Sequence, residues 1–174
     1  MLVNPSQIRQ DLSCFGDFGQ QGYGYSVPQL KNAIAEILGL SNNYRAILIG
    51  AGNVGKALLN HFPFEDFGFQ IIGVFDGSQE VVGMKIRDSV VLDSDTLEEF
   101  CRREKPDIAI LCVTRQSVNA LASYLYGVGV RNFWNCTGWE LDLLCDDAVV
   151  ENVHLNDSLM TLCYRITHLD PPSE

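Results

Sequence analysis

Residues 50–55, with the sequence GAGNVG, constrain the fold of this chain more than any other stretch. They follow the apolar run AILI and precede KALLNHF, whose apolar side chains recur at helical spacing. Glycines spaced G-x-G-x-x-G between a buried strand and a helix are typical of a turn that binds a dinucleotide. Gly50 permits the tight turn, Gly52 lets a pyrophosphate approach the backbone, and Gly55 lets the helix pack closely on the strand. The helix N-terminus presents unpaired N–H groups and the positive end of its dipole to the phosphates.

An acidic residue follows this turn at the distance that a dinucleotide site requires. Asp76 ends the apolar run FQIIGVFD, 21 residues after Gly55. A carboxylate at this position accepts hydrogen bonds from the hydroxyl groups of the adenosine ribose and repels a 2′-phosphate. The predicted cofactor is therefore NAD(H) rather than NADP(H).

The remaining cofactor contacts are predicted at the topological switch point, where the first and fourth strands diverge at their carboxyl ends. Residues 113–115 lie at the end of the run DIAILCV and are placed near the middle of the cofactor. Residues 135–137 lie at the end of the run NFWNC and are placed near the nicotinamide. The predicted cofactor-binding residues are Gly50, Ala51, Gly52, Asn53, Val54, Gly55, Asp76, Val113, Thr114, Asn135, Cys136 and Thr137.

Strands and helices alternate along the chain, and this pattern predicts a Rossmann-like α/β fold with a doubly wound parallel sheet. The predicted strands have the sequences AILIG, FQIIGVFD, VVL, DIAILCV, NFWNC and VVENVHL. Ser26 is predicted to cap a helix before the first of these strands. Asn156 or Asp157 is predicted to cap a helix after the last one.

The charge and the apolar segments of the chain narrow the possible partners. A net charge of −10 argues against broad electrostatic attraction to nucleic acid or to an anionic membrane. No apolar run approaches the roughly 18 residues that span a bilayer, and no signal peptide is recognisable. We therefore predict a cytoplasmic protein without a membrane partner. The six cysteines form no C-x-x-C pair, so reduced thiols are predicted, and neither a metal site nor a thiol switch is.

The sequence lacks the residues that a dehydrogenase uses to exchange a proton with its substrate. It has no Tyr-x-x-x-Lys pair, and His61 and His168 lie at a helix end and near the C-terminus. His154 follows the last predicted strand and is the histidine placed best to face a cleft. No second domain is apparent to hold a substrate. A cofactor-binding protein without catalytic activity is predicted, and an oxidoreductase that uses His154 or a cysteine is a distant alternative.

Four segments together resemble one family, the Rex redox-sensing transcriptional repressors of bacteria, which bind NADH and NAD+. They have the sequences QIRQDLSCFGDFGQQGYGY, AILIGAGNVGKALLNH, GVFD and VENVHLNDSLMTL. The resemblance implies an N-terminal winged-helix DNA-binding domain, a Rossmann domain for NAD(H), and a homodimer formed partly by an exchanged C-terminal helix. It also implies that NADH lowers the affinity for operator DNA.

The resemblance assigns roles to segments of this chain. Residues 4–13 resemble the recognition helix, residues 14–25 the wing, and residues 156–166 the exchanged helix. The implied DNA contacts are Ser6, Gln7, Arg9 and Gln10. The domains expected are a partial winged-helix segment over residues 1–40, a Rossmann domain over 44–155 and a dimerisation helix over 156–168.

Two features of the N-terminal segment support an alternative. A winged helix has two helices before its recognition helix, so operator binding is expected only where these helices are present. Residues 1–31 contain Arg9 and Lys31 against Asp11 and Asp17, whereas a DNA-binding face normally carries excess positive charge. An NAD(H)-binding dimerisation module that has lost DNA binding is therefore the second interpretation. His154 also stands where the family often has an aspartate.

Overall fold

The computed structural model describes residues 10, 19–20, 24–142 and 145–168. The chain divides into two compact units, the first comprising residues 1–43 and 65–69 and the second residues 44–64 and 70–174. The second unit begins at Tyr44, where the Rossmann domain is predicted to begin. Within the described residues, no helix is long and apolar enough to cross a membrane.

The first unit contains a small hairpin and a helix. Strands β1 (Gly19–Gln20) and β2 (Gly24–Tyr25) pair antiparallel within the segment predicted as a wing. Helix α1 (Val27–Ile37) follows, and Gly39 ends it with a φ of +72°. Ser26 occupies the N-cap position as predicted, but its side chain makes no capping hydrogen bond.

A seven-stranded sheet forms the centre of the second unit, in the order β5-β6-β4-β3-β7-β8-β9. Its strands are β3 (Tyr44–Ile49), β4 (Phe69–Asp76), β5 (Lys85–Ile86), β6 (Ser89–Asp93), β7 (Ile108–Leu111), β8 (Asn132–Asn135) and β9 (Val149–Asn152). Parallel pairs join β3 to β7, β4 to β6, β7 to β8 and β8 to β9. From β6 to β9 the order is the 3-2-1-4-5-6 order of the Rossmann fold.

The sheet confirms the Rossmann-like prediction with one correction. Strand β5, only two residues long, pairs antiparallel with β6 at the edge, so the sheet is mixed rather than wholly parallel. The prediction missed β5 because two residues show no alternation of apolar and polar side chains. The two central strands β3 and β7 are buried over most of their length, which explains their continuous apolar sequences.

Four helices accompany the sheet in the described part of the second unit. They are α2 (Asn53–His61), α3 (Leu97–Glu104), α4 (Arg115–Gly127) and α5 (Leu155–His168). A single 3₁₀ turn lies at Ser94–Thr96, and another, Phe64–Phe67, begins at the last residue before the segment 65–69 of the first unit. The core between the sheet and its helices contains Ile47, Phe75, Leu97, Leu111, Val118, Leu125 and Phe133.

Two predicted boundaries at the end of the chain are wrong. Strand β9 ends at Asn152 rather than at Leu155, and Leu155 already begins α5. Asn156 and Asp157 therefore lie inside the first turn of α5 and do not cap it. The apolar Leu155 resembled a strand residue, but it belongs to a helix whose side chains are all exposed in the single chain.

Candidate functional site

The glycine turn, residues 50–55, connects β3 to α2 and depends on two glycines for its close packing. Gly50 has a φ of +99° and its N–H donates to the carbonyl of Phe75 over 2.8 Å. A Cβ on Gly50 would lie 2.5 Å from the carbonyl oxygen of Cys112. A Cβ on Gly55 would lie 2.0 Å from the carbonyl oxygen of Gly50. Both positions therefore exclude any side chain, as the fingerprint requires.

Gly52 differs from the other two glycines because it faces open space. A Cβ on Gly52 would meet no atom within 4 Å, and the residue is exposed. Gly52 is also the N-cap of α2 and offers no side chain to the first N–H groups of that helix. An open backbone surface at an uncapped helix N-terminus suits a pyrophosphate. Asn53 and Val54 are exposed beside it, whereas Ala51 is buried.

The carboxylate of Asp76 lies at the end of β4 and contacts the glycine turn. Its Oδ2 accepts a hydrogen bond from the N–H of Ala51 over 2.7 Å, and its Oδ1 accepts one from the N–H of Ser78 over 2.8 Å. These two bonds orient the carboxylate beside the turn. The sequence indicated a ribose contact at Asp76, but it did not reveal this structural role.

The switch point lies between β3 and β7, as predicted. The N–H of Cys112 donates to the carbonyl of Ile49 over 2.8 Å, so the chain after β7 lies beside the glycine turn. Val113 is partly buried and packs against the core. Thr114 is the N-cap of α4, and its hydroxyl lies 3.1 Å from that of Ser117. The structure therefore brings Val113 and Thr114 to the same edge of the sheet as the glycine turn.

A buried amide organises the chain after β8. We call residues 135–139 the Asn135 turn. The side chain of Asn135 is 1% exposed and its Nδ2 donates to the carbonyl of Trp139 over 2.6 Å and to Oδ1 of Asn152 over 2.7 Å. Its Oδ1 accepts hydrogen bonds from the N–H and the hydroxyl of Thr137 over 3.2 and 2.7 Å. Asn135 thus holds the turn by bonds within it and ties it to Asn152, whereas the sequence placed Asn135 among the cofactor contacts.

Asn152 is a structural residue that the sequence prediction missed. Its Oδ1 accepts from Asn135 and also from the N–H of Leu141, over 3.0 Å, so it links β9 to the Asn135 turn. The available signal was a polar amide inside the predicted strand VVENVHL. A polar side chain in such a strand requires a hydrogen-bonding partner.

Two thiols meet at the switch point. Cys112 follows β7 and Cys136 follows β8, and both are partly buried. The Cys112 thiol hydrogen-bonds the Cys136 sulfur, which lowers the pKa of Cys136 from its ordinary value. The same contact, together with burial, raises the pKa of Cys112. Within the pair, Cys136 therefore loses its proton more readily than Cys112.

A cleft of about 460 Å³ lies beside the Asn135 turn. The guanidinium group of Arg115 lies 3.8 Å above the ring centre of Trp139. His154 also lines this cleft, where the sequence predicted that it could face one. The lining residues are Arg115, Val118, Asn119, Gly138, Trp139, Glu140 and His154.

The predicted DNA contacts are mostly beyond what the structure describes. Ser6, Gln7 and Arg9 lie outside the described residues, as do most of the predicted recognition helix and wing. Gln10 is helical and exposed. These four residues remain predictions.

Comparison with known proteins now identifies the family. A repressor named as redox-sensing transcriptional repressor Rex, from Clostridium beijerinckii, is 51% identical over 162 residues, which cover 92% of this chain and 76% of the relative. A repressor of the same name from Thermoanaerobacter sp. is 48% identical over 166 residues, covering 95% and 74%. This chain belongs to the Rex family. Residues 41–138, which contain the glycine turn and most of the Asn135 turn, also match the family model described as CoA binding domain.

Solved structures of a Rex-family repressor called RSP agree with this assignment. RSP in complex with β-NAD+ and operator DNA superimposes with a TM-score of 0.84 at 47% identity, covering 95% of this chain and 76% of RSP. RSP in complex with β-NADH gives a TM-score of 0.82 at 44% identity, with the same coverage. The predicted family and the Rossmann-like fold are confirmed. These Rex relatives are named as repressors rather than as enzymes, in line with the prediction of a non-catalytic protein.

Proposed function

We propose that this chain is a transcriptional repressor that senses the ratio of NADH to NAD+, and that NADH lowers its affinity for operator DNA. The observation that carries the proposal is the open backbone surface at Gly52, at the N-terminus of α2 and beside the carboxylate of Asp76. The complexes of RSP with β-NAD+ and operator DNA, and with β-NADH, support the same cofactor and target. Such a repressor acts in the cytoplasm.

The residues along the sheet edge have separate roles in this proposal. The N–H groups at the start of α2 bind the pyrophosphate, and Asp76 binds the adenosine ribose while the glycine turn holds its carboxylate in place. Val113 and Thr114 contact the middle of the dinucleotide, and Cys136 and Thr137 face the nicotinamide. Asn135 acts by positioning Thr137. The bound dinucleotide supplies a nicotinamide ring whose charge and shape depend on its oxidation state.

Helix α5 provides the dimer contact in this proposal. It presents large apolar side chains to solvent in the single chain, Leu155, Leu159, Met160, Leu162 and Ile166 among them. A contiguous apolar face of this kind marks an interaction surface. A second copy of the chain covers it, and the dimer has two arrangements that NADH and NAD+ favour differently. In the DNA-bound arrangement Ser6, Gln7, Arg9 and Gln10 contact the operator.

A fluorescence titration tests the cofactor assignment. NADH is added while the emission of Trp134 and Trp139 is followed, and quenching with a dissociation constant of about 1 μM or lower is expected. Gly52→Val is expected to raise this constant at least about 100-fold, because its side chain occupies the space of the pyrophosphate. Gly127→Val is the matched control, since a Cβ there also meets nothing within 4 Å but lies at the end of α4. No quenching up to millimolar NADH would refute the proposal.

A DNA-binding experiment separates the repressor from the second candidate. Operator sequences are selected from a random duplex pool in the presence of NAD+, and the selected DNA is then tested by gel shift with NAD+ and with NADH. The repressor predicts a shift that NADH abolishes. The alternative, a dimerising NAD(H)-binding module, is favoured by the zero charge balance of residues 1–31. It predicts NADH binding without enrichment of any DNA.

A further inference from the structure

The two cysteines at the switch point are opposite each other on neighbouring strands. Leu111 on β7 is in register with Asn135 on β8, and each cysteine is the next residue. The N–H of Cys136 continues the ladder by donating to the carbonyl of Leu111 over 2.9 Å. Neighbouring strands lie about 4.8 Å apart, and a disulfide needs a Cα separation of roughly 4.4–6.8 Å. The backbone therefore already places the pair at the separation that a disulfide requires.

The other cysteines in the described part of the chain have different surroundings. Cys101 is 2% exposed inside the core, and burial raises the pKa of its thiol to about 11. Cys145 lies beside Tyr126, and Cys163 is exposed on α5. Of the cysteines that the structure describes, Cys112 and Cys136 are the two that shift each other's pKa, and they follow register partners on neighbouring strands. A thiol with a lowered pKa next to a second thiol is an arrangement found in redox-sensing cysteines.

We propose that Cys112 and Cys136 form a reversible disulfide on reaction with a hydroperoxide, giving the switch point a thiol-based signal in addition to the dinucleotide. Cys136 gives its proton to solvent, its thiolate attacks the terminal oxygen of the hydroperoxide, and the O–O bond breaks. Cys136 becomes a sulfenic acid, and the leaving alkoxide, or hydroxide, takes a proton from solvent and departs as alcohol, or water. The sulfur of Cys112 then attacks the sulfenic sulfur, and the displaced hydroxide takes the Cys112 proton and leaves as water. The two sulfur atoms lose two electrons and the peroxide gains two. A dithiol reductant reverses the bond by exchange.

The disulfide affects the dinucleotide site through backbone contacts, an effect that rests on the proposed function. The carbonyl oxygen of Cys112 lies 2.5 Å from the position that a Cβ on Gly50 would take, so Cys112 packs against the glycine turn. Cys136 is the second residue of the Asn135 turn. Shortening the distance between the two sulfur atoms to about 2 Å pulls these two segments together. A bound dinucleotide crosses the same edge and covers the pair. NADH therefore slows oxidation, and oxidation weakens NADH binding by the same coupling.

The covalent step is tested first, on the full chain without cofactor. Stoichiometric hydrogen peroxide is added, and the products are examined by intact mass and by peptide mapping under non-reducing conditions. We expect a loss of two hydrogen atoms, a cross-link between the peptides of Cys112 and Cys136, and full recovery with dithiothreitol. Cys112→Ser is expected to stop at a sulfenic acid that dimedone traps on Cys136, whereas Cys163→Ser is expected to behave like the parent chain. A cross-link at other cysteines, or an unchanged reaction in Cys136→Ser, would overturn the proposal.

The coupling to the cofactor is tested by two further measurements. Saturating NADH is expected to slow formation of the cross-link at least about tenfold, and the oxidised chain is expected to bind NADH at least about tenfold more weakly than the reduced chain. The Cys112→Ser/Cys136→Ser double variant is expected to keep one affinity before and after peroxide. If the reduced chain binds no NADH but the cross-link forms, the proposed function fails and the thiol site stands. If NADH binds and no cross-link forms, the thiol site alone fails.

Discussion

The two halves of the candidate site are built in different ways. The glycine turn at the end of β3 is a backbone structure, in which Gly50 and Gly55 exclude side chains and Gly52 leaves an open surface. The Asn135 turn at the end of β8 is a side-chain structure, held by a buried amide that makes three hydrogen bonds within the turn and one to Asn152. A backbone position with no room for a Cβ accepts only glycine, whereas a hydrogen-bond network depends on partners far apart in the chain. Substitutions in the two halves should therefore destabilise the protein for different reasons.

The largest effect is expected at the third glycine of the glycine turn. Gly55→Ala places a Cβ 2.0 Å from the carbonyl oxygen of Gly50, and backbone atoms cannot move aside as a flexible side chain can. We expect a loss of about 4 kcal/mol in the free energy of unfolding, measured with urea. Gly52→Ala is the matched control and should change stability by less than about 0.5 kcal/mol. Equal stability of the two variants would show that the turn is not closely packed.

A substitution in the Asn135 turn should lower the free energy of unfolding somewhat less, and by a different mechanism. Asn135→Ala removes a buried amide and leaves Trp139, Thr137 and Asn152 without their hydrogen bonds to it. We expect a loss of about 3 kcal/mol in the free energy of unfolding, together with weaker NADH binding because Thr137 is released. Asn132→Ala is the control, since that side chain makes one hydrogen bond, to the carbonyl of Asp107, at the other end of β8. It should cost about 1 kcal/mol and leave NADH binding unchanged.

The difference between a local backbone turn and a long-range hydrogen-bond network also explains which parts of the site the sequence predicts. The glycine turn and Asp76 were recognised because both lie in one contiguous strand-turn-helix-strand unit with a fixed spacing. Asn135 was assigned to the correct edge, but its internal bonds depend on Asn152 in another strand, and no local pattern encodes that contact. Strand β5 was missed because it is too short to show a period, and the start of α5 was misplaced because an exposed apolar helix begins directly after a strand.

Asp76 lies at the end of β4 and bonds the glycine turn through its side chain, so it links the backbone structure of this half to a side-chain hydrogen bond. Asp76→Asn replaces one acceptor oxygen by an amide donor that faces the N–H of Ala51 or of Ser78. We expect about tenfold weaker NADH binding, a smaller loss for NADPH because the repelling charge is gone, and a stability loss of about 1 kcal/mol. Parallel fluorescence titrations with NADH and NADPH measure this.

The control for Asp76 is its register neighbour on β6. Asp93 is opposite Asp76 and also ends a strand, but its carboxylate accepts hydrogen bonds from the N–H of Asp95 and from Gln79. Asp93→Asn should leave the preference for NADH over NADPH as it is. If both substitutions change this preference equally, the discrimination arises from the charge of the whole edge rather than from Asp76.

The smallest effect is expected in the segment that leads into β9, which carries Asn152. The hydroxyl of Tyr126 donates to the carboxylate of Asp147, and this bond raises the pKa of Tyr126 to about 12 and lowers that of Asp147. Tyr126 therefore stabilises the fold fully below its unfolded pKa of about 10, and this contribution disappears as the pH rises from 10 to 12. The contribution of Asp147 is present above its unfolded pKa of about 3.9 and disappears as the pH falls through its lower folded value.

Urea unfolding of the parent chain and of Tyr126→Phe, compared across pH, measures this contribution. The difference between their midpoints should be constant from pH 7 to about 10 and should shrink toward pH 12, because only the parent chain must lose the Tyr126 proton. Tyr164→Phe, at an exposed position on α5, serves as the control and should show no such pH-dependent difference. A midpoint difference that stays constant to pH 12 would mean that the bond to Asp147 does not hold the segment before β9, and that the Asn135 turn depends on its own amide network alone.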